Sequence, residues 1–401
     1  MAVGPNSTAF NVVPGVRLAS MACGIKKNAT DLVMFEFAEG SNTAGVFTQS
    51  VFAAAPVEVG RRHLQLAQSR YFVINSGNAN AAMGEQGISD AVTSCQATSQ
   101  LTGTRPEAIL PFSTGVIGER LPVEKITDAL GTIIGKLDEN NWLEAAHGIM
   151  TTDTRPKIAT RQVEINGQLV TMTGIAKGAG MIQPNMATML AYIATDAVVE
   201  QALLQQMLTA AVNRSFNRIT VDSDTSTNDS CMLTATGRSG VSIIEGTEAA
   251  TQFDDMLTEV CCELAQGIIR DGEGATKFVE VRVENAARPE DALSIAYAIA
   301  NSPLIKTALY ASDANWGRIV MAIGKAGVAL DVNKLDVAVG DVMLMIAGQK
   351  HPDYTEQKGA AVMQGEEILI RVNLNAGSST ETVWTSDLSH DYVTINAEYR
   401  T

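Results

Sequence analysis

Apolar positions along this chain recur with two periods. Segments 31–37, 44–51, 71–75 and 161–175 are rich in β-branched and aromatic residues and are bounded by Gly, Asn or Ser, which predicts strands. Asn166-Gly167 inside the last segment is a hairpin signal, because both residues tolerate positive φ. Elsewhere the period is helical. Val123, Ile126, Leu130, Ile133, Ile134 and Leu137 predict an amphipathic helix over 122–137. Leu203, Leu204, Met207, Leu208, Ala211 and Val212 predict a second over 200–216, and Met256, Leu257, Val260, Cys261, Leu264 and Ile268 a third over 254–269. Asp254 and Asp255 in its first turn and Arg270 after its end suit the helix dipole. Two further helices are expected over 289–300, opening on Pro289, and over 314–327. Strands at 278–283, 337–346, 366–375 and 392–396 complete the pattern. The fold class is therefore α/β, with no internal repeat and no low-complexity linker.

Composition narrows the functional classes. At 401 residues the chain is long enough for two or three domains, and 46% hydrophobic with 18% charged residues is ordinary for a soluble globular protein. The net charge of −15 argues against nucleic acid or an anionic membrane as partner. No apolar run approaches the ~18 residues of a membrane span, and residues 1–11 do not read as a signal peptide. Five cysteines without a CxxC pair fit reduced thiols in a cytoplasmic protein and give no metal site; Cys95, Cys261 and Cys262 fall in helical patterns as small core residues. The four histidines form no HExxH, and there is no GxSxG, which disfavours a zinc hydrolase or a nucleophile-elbow serine hydrolase. Gly267 to Gly272 has phosphate-loop spacing, but Glu273 stands where the lysine belongs, so no nucleotide triphosphate is expected. No cofactor is expected either.

The stretch from Lys177 to Leu190, KGAGMIQPNMATML, carries the most chemistry. A glycine-rich loop runs into Ala187 and Thr188 and then into the apolar run Met189 to Ile193. This order suits a threonine placed at the start of a buried strand. A threonine hydroxyl needs a nearby base, and cutting the bond before it supplies one: its own α-amine, with a pKa of roughly 7.7–8.0. Ala187 offers little hindrance to attack on its carbonyl. The same residues also read as a plain glycine turn before a core strand. Residues 111–118, Pro-Phe-Ser-Thr-Gly-Val-Ile-Gly, read as a Ser/Thr/Gly turn able to aim a hydroxyl and a backbone N–H at one point, as an oxyanion hole requires, or simply as a strand cap. Thr151-Thr152-Asp153-Thr154 is a polar cluster that alone could be an Asx turn. In Arg270 to Lys277, glycines on both sides of Glu273 let the backbone turn and aim one carboxylate, although an acidic solvated turn is the commoner use of such a segment.

Along nearly its whole length the chain resembles the ornithine acetyltransferase family of arginine biosynthesis, also called glutamate N-acetyltransferases, which cleave themselves at an Ala-Thr bond. The resemblance implies layered sheets and helices of a type shared with a related aminopeptidase family. It implies cleavage between Ala187 and Thr188 into an α chain, 1–187, and a β chain, 188–401, assembled as two of each. It also implies ping-pong transfer of acetyl from N-acetylornithine to glutamate through an acetyl-Thr188 ester. Thr114 and Gly115 match the family's oxyanion hole. Thr151, Lys177, Thr188, Glu273, Asn396 and Thr401 match its substrate contacts, with Lys177 toward the α-carboxylate and Glu273 toward the ornithine ammonium. Segments 75–80, 220–229 and 313–318 also match; the acidic run at Asp222 reads as structural, with Asp222 and Asn228 near the pocket at best. Some members also acetylate glutamate from acetyl-CoA, and the residues here leave that open. The alternative is an N-terminal-threonine amidase or aminopeptidase of the related family; a third reading is an inert ligand-binding scaffold.

Overall fold

The computed structural model describes residues 2–183 and 189–398. The chain divides into two compact units. One holds Asn6–Asn217 and Asp224–Ile268; the other holds the residues up to Pro5, Arg218–Ser223 and those from Ile269 onward.

The first unit is built on two sheets. A four-stranded sheet runs in the order Val16–Met21, Leu32–Phe37, Tyr71–Asn78, Ile109–Val116. A five-stranded sheet runs Asn42–Phe47, Ser230–Ala235, Leu190–Thr195, Gln168–Lys177, Lys157–Ile165. Both faces of each sheet have partners, so strands read as nearly continuous apolar runs. In Leu32–Phe37, Val33, Phe35 and Phe37 join Phe72, Phe112, Ile175, Leu190 and Tyr192 in one core. Leu32 and Met34 of the same strand face a second core with Cys95, Ile126, Leu130 and Ile133. The first core lies between the sheets; the second packs helices Gly84–Thr102 and Val123–Ile134 on the outer face of the four-stranded sheet. On the five-stranded sheet, Gly174 leaves room for Val260 and Leu264 of the helix Glu248–Arg270. The layers are helix, sheet, sheet, helix, the expected mixed α/β arrangement.

The second unit has a seven-stranded sheet in the order Ile219–Thr220, Ser379–Ser386, Phe278–Ala286, Glu367–Asn373, Asp336–Val339, Val342–Ile346, Gln349–Lys350. Val279, Val281 and Val283 alternate into a core with Ile295, Ile299, Ile319 and Ile323 of helices Pro289–Ala300 and Trp316–Gly324. Glu280 and Arg282, between those valines, pair with each other outside it.

Several expectations shift. Segment 161–175 is a hairpin of Lys157–Ile165 and Gln168–Lys177, with Asn166 at φ 53° and Gly167 at φ 76° in the turn. Segment 337–346 is likewise a hairpin. The helix expected over 254–269 begins earlier, at Glu248, so Asp254 and Asp255 lie in its second turn and Arg270 is its last residue. Residues 109–116 form a strand, so the turn expected at 111–118 is displaced to its end. Segment 392–396 is not a strand; it lies in the helix His390–Ala397, capped by the Ser389 hydroxyl, which accepts from Tyr392 N. Of the three helical cysteines, Cys95 and Cys261 are buried but Cys262 is half-buried.

Candidate active site

Two glycines on neighbouring strands build the first corner of the site. Tyr71–Asn78 and Ile109–Val116 run parallel, with Gly77 opposite Gly115; beyond that pair the register slips, so that Asn78 faces both Thr114 and Val116. Gly77 sits at φ 103° and Gly115 at φ 132°, where side chains are disfavoured. A Cβ on Gly115 would lie 2.3 Å from the Gly77 carbonyl carbon, so only glycine permits this approach. The bulge is tied down by amides. Asn75 Nδ2 donates to the Asn78 carbonyl at 2.8 Å, and Ser113 Oγ donates to Asn75 Oδ1 at 2.6 Å. Asn228 Nδ2 donates to the carbonyls of Ala79 at 2.6 Å and Ser113 at 2.9 Å. Thr114, which follows Ser113, is only 6% exposed. Among the described residues its hydroxyl makes no hydrogen bond. A preformed backbone corner beside a buried, uncommitted hydroxyl is an arrangement able to stabilise an oxyanion.

The second corner gathers around Asp153. Its Oδ2 accepts from Thr151 N at 3.0 Å and its Oδ1 from Gly178 N at 2.7 Å. Lys157, itself buried, completes the carboxylate as an ion pair. Burial alone would raise the Asp153 carboxyl. The Lys157 charge, then the Lys177 charge, with hydrogen bonds from Lys157 and Gly178, bring it down to about 2. One buried anion thus fixes both Thr151 and the loop that begins at Lys177. Lys177 ends its strand opposite Leu190, so the chain leaves the sheet and returns at the same level. Met189, next to Thr188 in sequence, is held by its carbonyl, which accepts from Ser230 N at 3.0 Å.

The second unit holds a buried carboxylate of its own. Glu273 is 8% exposed in a turn where Gly274 has φ 68°. A Cβ on Gly274 would lie 2.6 Å from Tyr392 N, so the helix His390–Ala397 packs directly on this turn. Ser389 Oγ donates to the Gly274 carbonyl at 2.7 Å, and Asn396 Nδ2 donates to Glu273 Oε2 at 2.7 Å. Asp222 accepts from the Tyr392 hydroxyl at 3.1 Å, in keeping with a structural role.

Glu273 and Asn396 are therefore in contact, and Thr151 and Lys177 share the Asp153 anion. Ala187, Thr188 and Thr401 lie outside the described residues. Sequence reading passed over the Asp153–Lys157 pair, whose i,i+4 spacing carries no signal outside a helix, and it underrated Asn228, a buried clamp on the Thr114 strand. Among the described residues no cluster of His, Cys, Asp or Glu could hold a metal ion, and no helix is long and apolar enough to cross a membrane.

A model of the ArgJ family matches residues 17–401. The arginine biosynthesis bifunctional protein ArgJ of Pseudomonas syringae pv. tomato is 53% identical over 408 residues, covering 100% of both chains. The protein of the same description from Pseudomonas fluorescens is 52% identical over 403 residues, covering 100% of this chain and 99% of that one. The crystal structure of arginine biosynthesis bifunctional protein ArgJ from Bacillus halodurans is 40% identical and covers 51% of this chain and 96% of that one, with a TM-score of 0.49. This chain belongs to the ArgJ family.

Proposed function

We infer that this chain is an acetyltransferase of arginine biosynthesis, moving acetyl from N-acetylornithine to glutamate and acting as a glutamate N-acetyltransferase. The observation that carries this reading is the likeness to the ArgJ proteins over the full chain. The chemistry is assigned as follows. The bond between Ala187 and Thr188 is cut by the chain itself, leaving 1–187 and 188–401. The freed Thr188 amine takes the proton of the Thr188 hydroxyl as the oxygen attacks the acetyl carbonyl. The oxyanion forms at Thr114 and Gly115. The ornithine amine leaves with the proton, and an acetyl-Thr188 ester remains. The glutamate amine then attacks the ester, and its proton returns the threonine hydroxyl. Lys177 takes the α-carboxylate of the substrate and Glu273 its side-chain ammonium, and Thr151, Asn396 and Thr401 also contact the substrate. Two copies of each fragment assemble in the cytoplasm.

Support for the Thr114 and Gly115 role is the glycine-locked bulge; support for the Lys177 and Thr151 role is their common anchorage to Asp153. Acetyl transfer from N-acetylornithine to glutamate, repeated with acetyl-CoA as donor, tests the activity. Thr188→Ala should stay one chain on a gel, whereas the wild type gives two fragments with Thr188 as a new N-terminus. Release of free amine without transfer would favour the amidase reading. An active wild-type enzyme that stays uncut would remove the free amine as base.

A further inference from the structure

We propose that Lys306 is a positioning residue for Glu273: it locks residues 385–388 onto the helix Pro303–Tyr310, and the segment they open holds the turn that carries Glu273. The proposal rests on the transfer reading above, in which Glu273 takes the side-chain ammonium of ornithine.

Lys306 is buried and grips one stretch of chain with both its ends. Its Nζ donates to the Thr385 hydroxyl at 2.9 Å and to the Ser386 carbonyl. Its own carbonyl accepts from Leu388 N at 3.2 Å. One turn further along the same helix, the Tyr310 ring meets the His390 ring edge-on, with centroids 5.7 Å apart. The segment is thus tied to one helix at 385, 386, 388 and 390. It then holds the Glu273 turn. Asp387, itself buried, accepts from Thr276 N at 2.8 Å, Lys277 N at 2.9 Å and the Thr276 hydroxyl at 2.6 Å. The Ser389 hydroxyl bonds the Gly274 carbonyl, and Asn396, on the helix that Ser389 caps, bonds Glu273 itself. Residues 273, 274, 276 and 277 are each held by a group from 387–396.

The choice of lysine needs a reason, because an ammonium in the interior is costly unless it is paired and hydrogen-bonded. A methionine would fill similar space without that cost. Burial pushes the Lys306 ammonium down to about 8, while Asp387 and then Asp222 pull it back up, so it is charged near neutral pH. What the charge adds is specific. It gives the end of the strand Ser379–Ser386 two donated hydrogen bonds. It also sets a cation in the field of Asp387, whose hydrogen bonds among the described residues all come from Thr276 and Lys277. Without the ammonium the stretch 385–388 loses its anchor, and Asp387, Ser389 and Asn396 lose the fixed base from which they place Glu273.

The test measures Lys306→Met, Glu273→Gln and the double variant against wild type, all as fully processed enzymes. The substrates are N-acetylornithine and N-acetylnorvaline, whose side chain lacks the amine. Lys306→Met should lose roughly 10–100-fold in kcat/KM on N-acetylornithine, mainly through KM, because a displaced Glu273 forfeits a charge-assisted contact. On N-acetylnorvaline its loss should stay below about threefold. In the Glu273→Gln background Lys306→Met should also cost less than about threefold, because the two residues act through one contact. Equal losses on both substrates, a loss undiminished by Glu273→Gln, or no loss at all would overturn the proposal. Should Lys306→Met not fold, Thr385→Val decides, since it removes one acceptor of the ammonium at nearly constant shape. A loss confined to N-acetylornithine then supports the proposal, and an equal loss on both substrates, or none, refutes it. Wild-type enzyme without activity on N-acetylornithine would instead overturn the transfer reading.

Discussion

Replacing Gly115 by alanine separates two reasons for a glycine. The new methyl would meet the Gly77 carbonyl carbon at 2.3 Å, Asn78 N at 2.6 Å and Gly77 Cα at 2.7 Å. All three neighbours are backbone, so none can swing aside. Ordinary contact begins at 3.4 Å. The two strands must therefore part by about 1 Å, a misplacement that costs on the order of 10²-fold in rate at a preorganised site. Gly118 is the control. Its φ of 82° is also in the left-handed half of the map, but nothing lies within 4 Å of its added Cβ. Gly118→Ala should cost only the conformational penalty, about 1–2 kcal/mol of stability, with kcat kept. Gly115→Ala should carry a penalty of that kind and lose about 10²-fold in kcat as well. Thermal melts and steady-state acetyl transfer on processed protein give both numbers. A folded Gly115→Ala enzyme with kcat within about threefold of wild type would refute the claim that this close approach shapes the oxyanion corner.

Other expectations follow from the same geometry. Thr114→Ala should lower kcat by roughly 10²–10³ with a smaller change in KM; a rise in KM alone would make Thr114 a ground-state contact. Glu273→Gln should lose roughly 10–150-fold with N-acetylornithine and less with an analogue whose side chain is uncharged, both measured after processing; equal losses would move Glu273 to the nucleophile or the fold. Asp153→Asn should cost about 3–5 kcal/mol in denaturant unfolding near neutral pH, because buried Lys157 loses its partner. The folded Asp153 value lies below that of the unfolded chain, so this stabilisation is complete above about pH 4 and fades as pH falls toward about 2. The gap between wild type and Asp153→Asn should narrow over that window, by roughly 2 kcal/mol, and a constant gap would show that charge is not what Asp153 contributes.

What could be read from the sequence divides along physical lines. The Asn166-Gly167 hairpin and the proline-started helix Pro289–Ala300 were legible because local chemistry settles them. Helix Gly84–Thr102 was legible only as a helical setting for Cys95 and not by its bounds, because its buried side is Gly87, Asp90, Ala91, Ser94, Cys95 and Thr98, small or polar positions without a hydrophobic period. The end of the chain misled for the opposite reason. Val393, Thr394 and Ile395 favour a strand, but the Ser389 cap and the seat on Gly274 make a helix. At the site, the loop after Lys177 and the turn around Glu273 carried visible signals. Asp153 did not stand out, because its role depends on Lys157, Thr151 and Gly178 converging on it. Asn228 lies far along the chain from the strand it clamps, a distance that local pattern does not span.

The five-stranded sheet has a consequence for the life history of the molecule. Asn42–Phe47, Lys157–Ile165 and Gln168–Lys177 precede residue 187, while Leu190–Thr195 and Ser230–Ala235 follow it, and the two later strands lie between the earlier ones. A cut after Ala187 would therefore divide a polypeptide whose halves are woven through one hydrogen-bonded layer. Renaturation of an uncut chain is a unimolecular event. Were the bond cut, two strangers would have to meet and interleave, and recovery from denaturant would become concentration-dependent. Maturation on this scaffold would work as a ratchet: the precursor can find its shape again, and the finished enzyme keeps it only by not letting go.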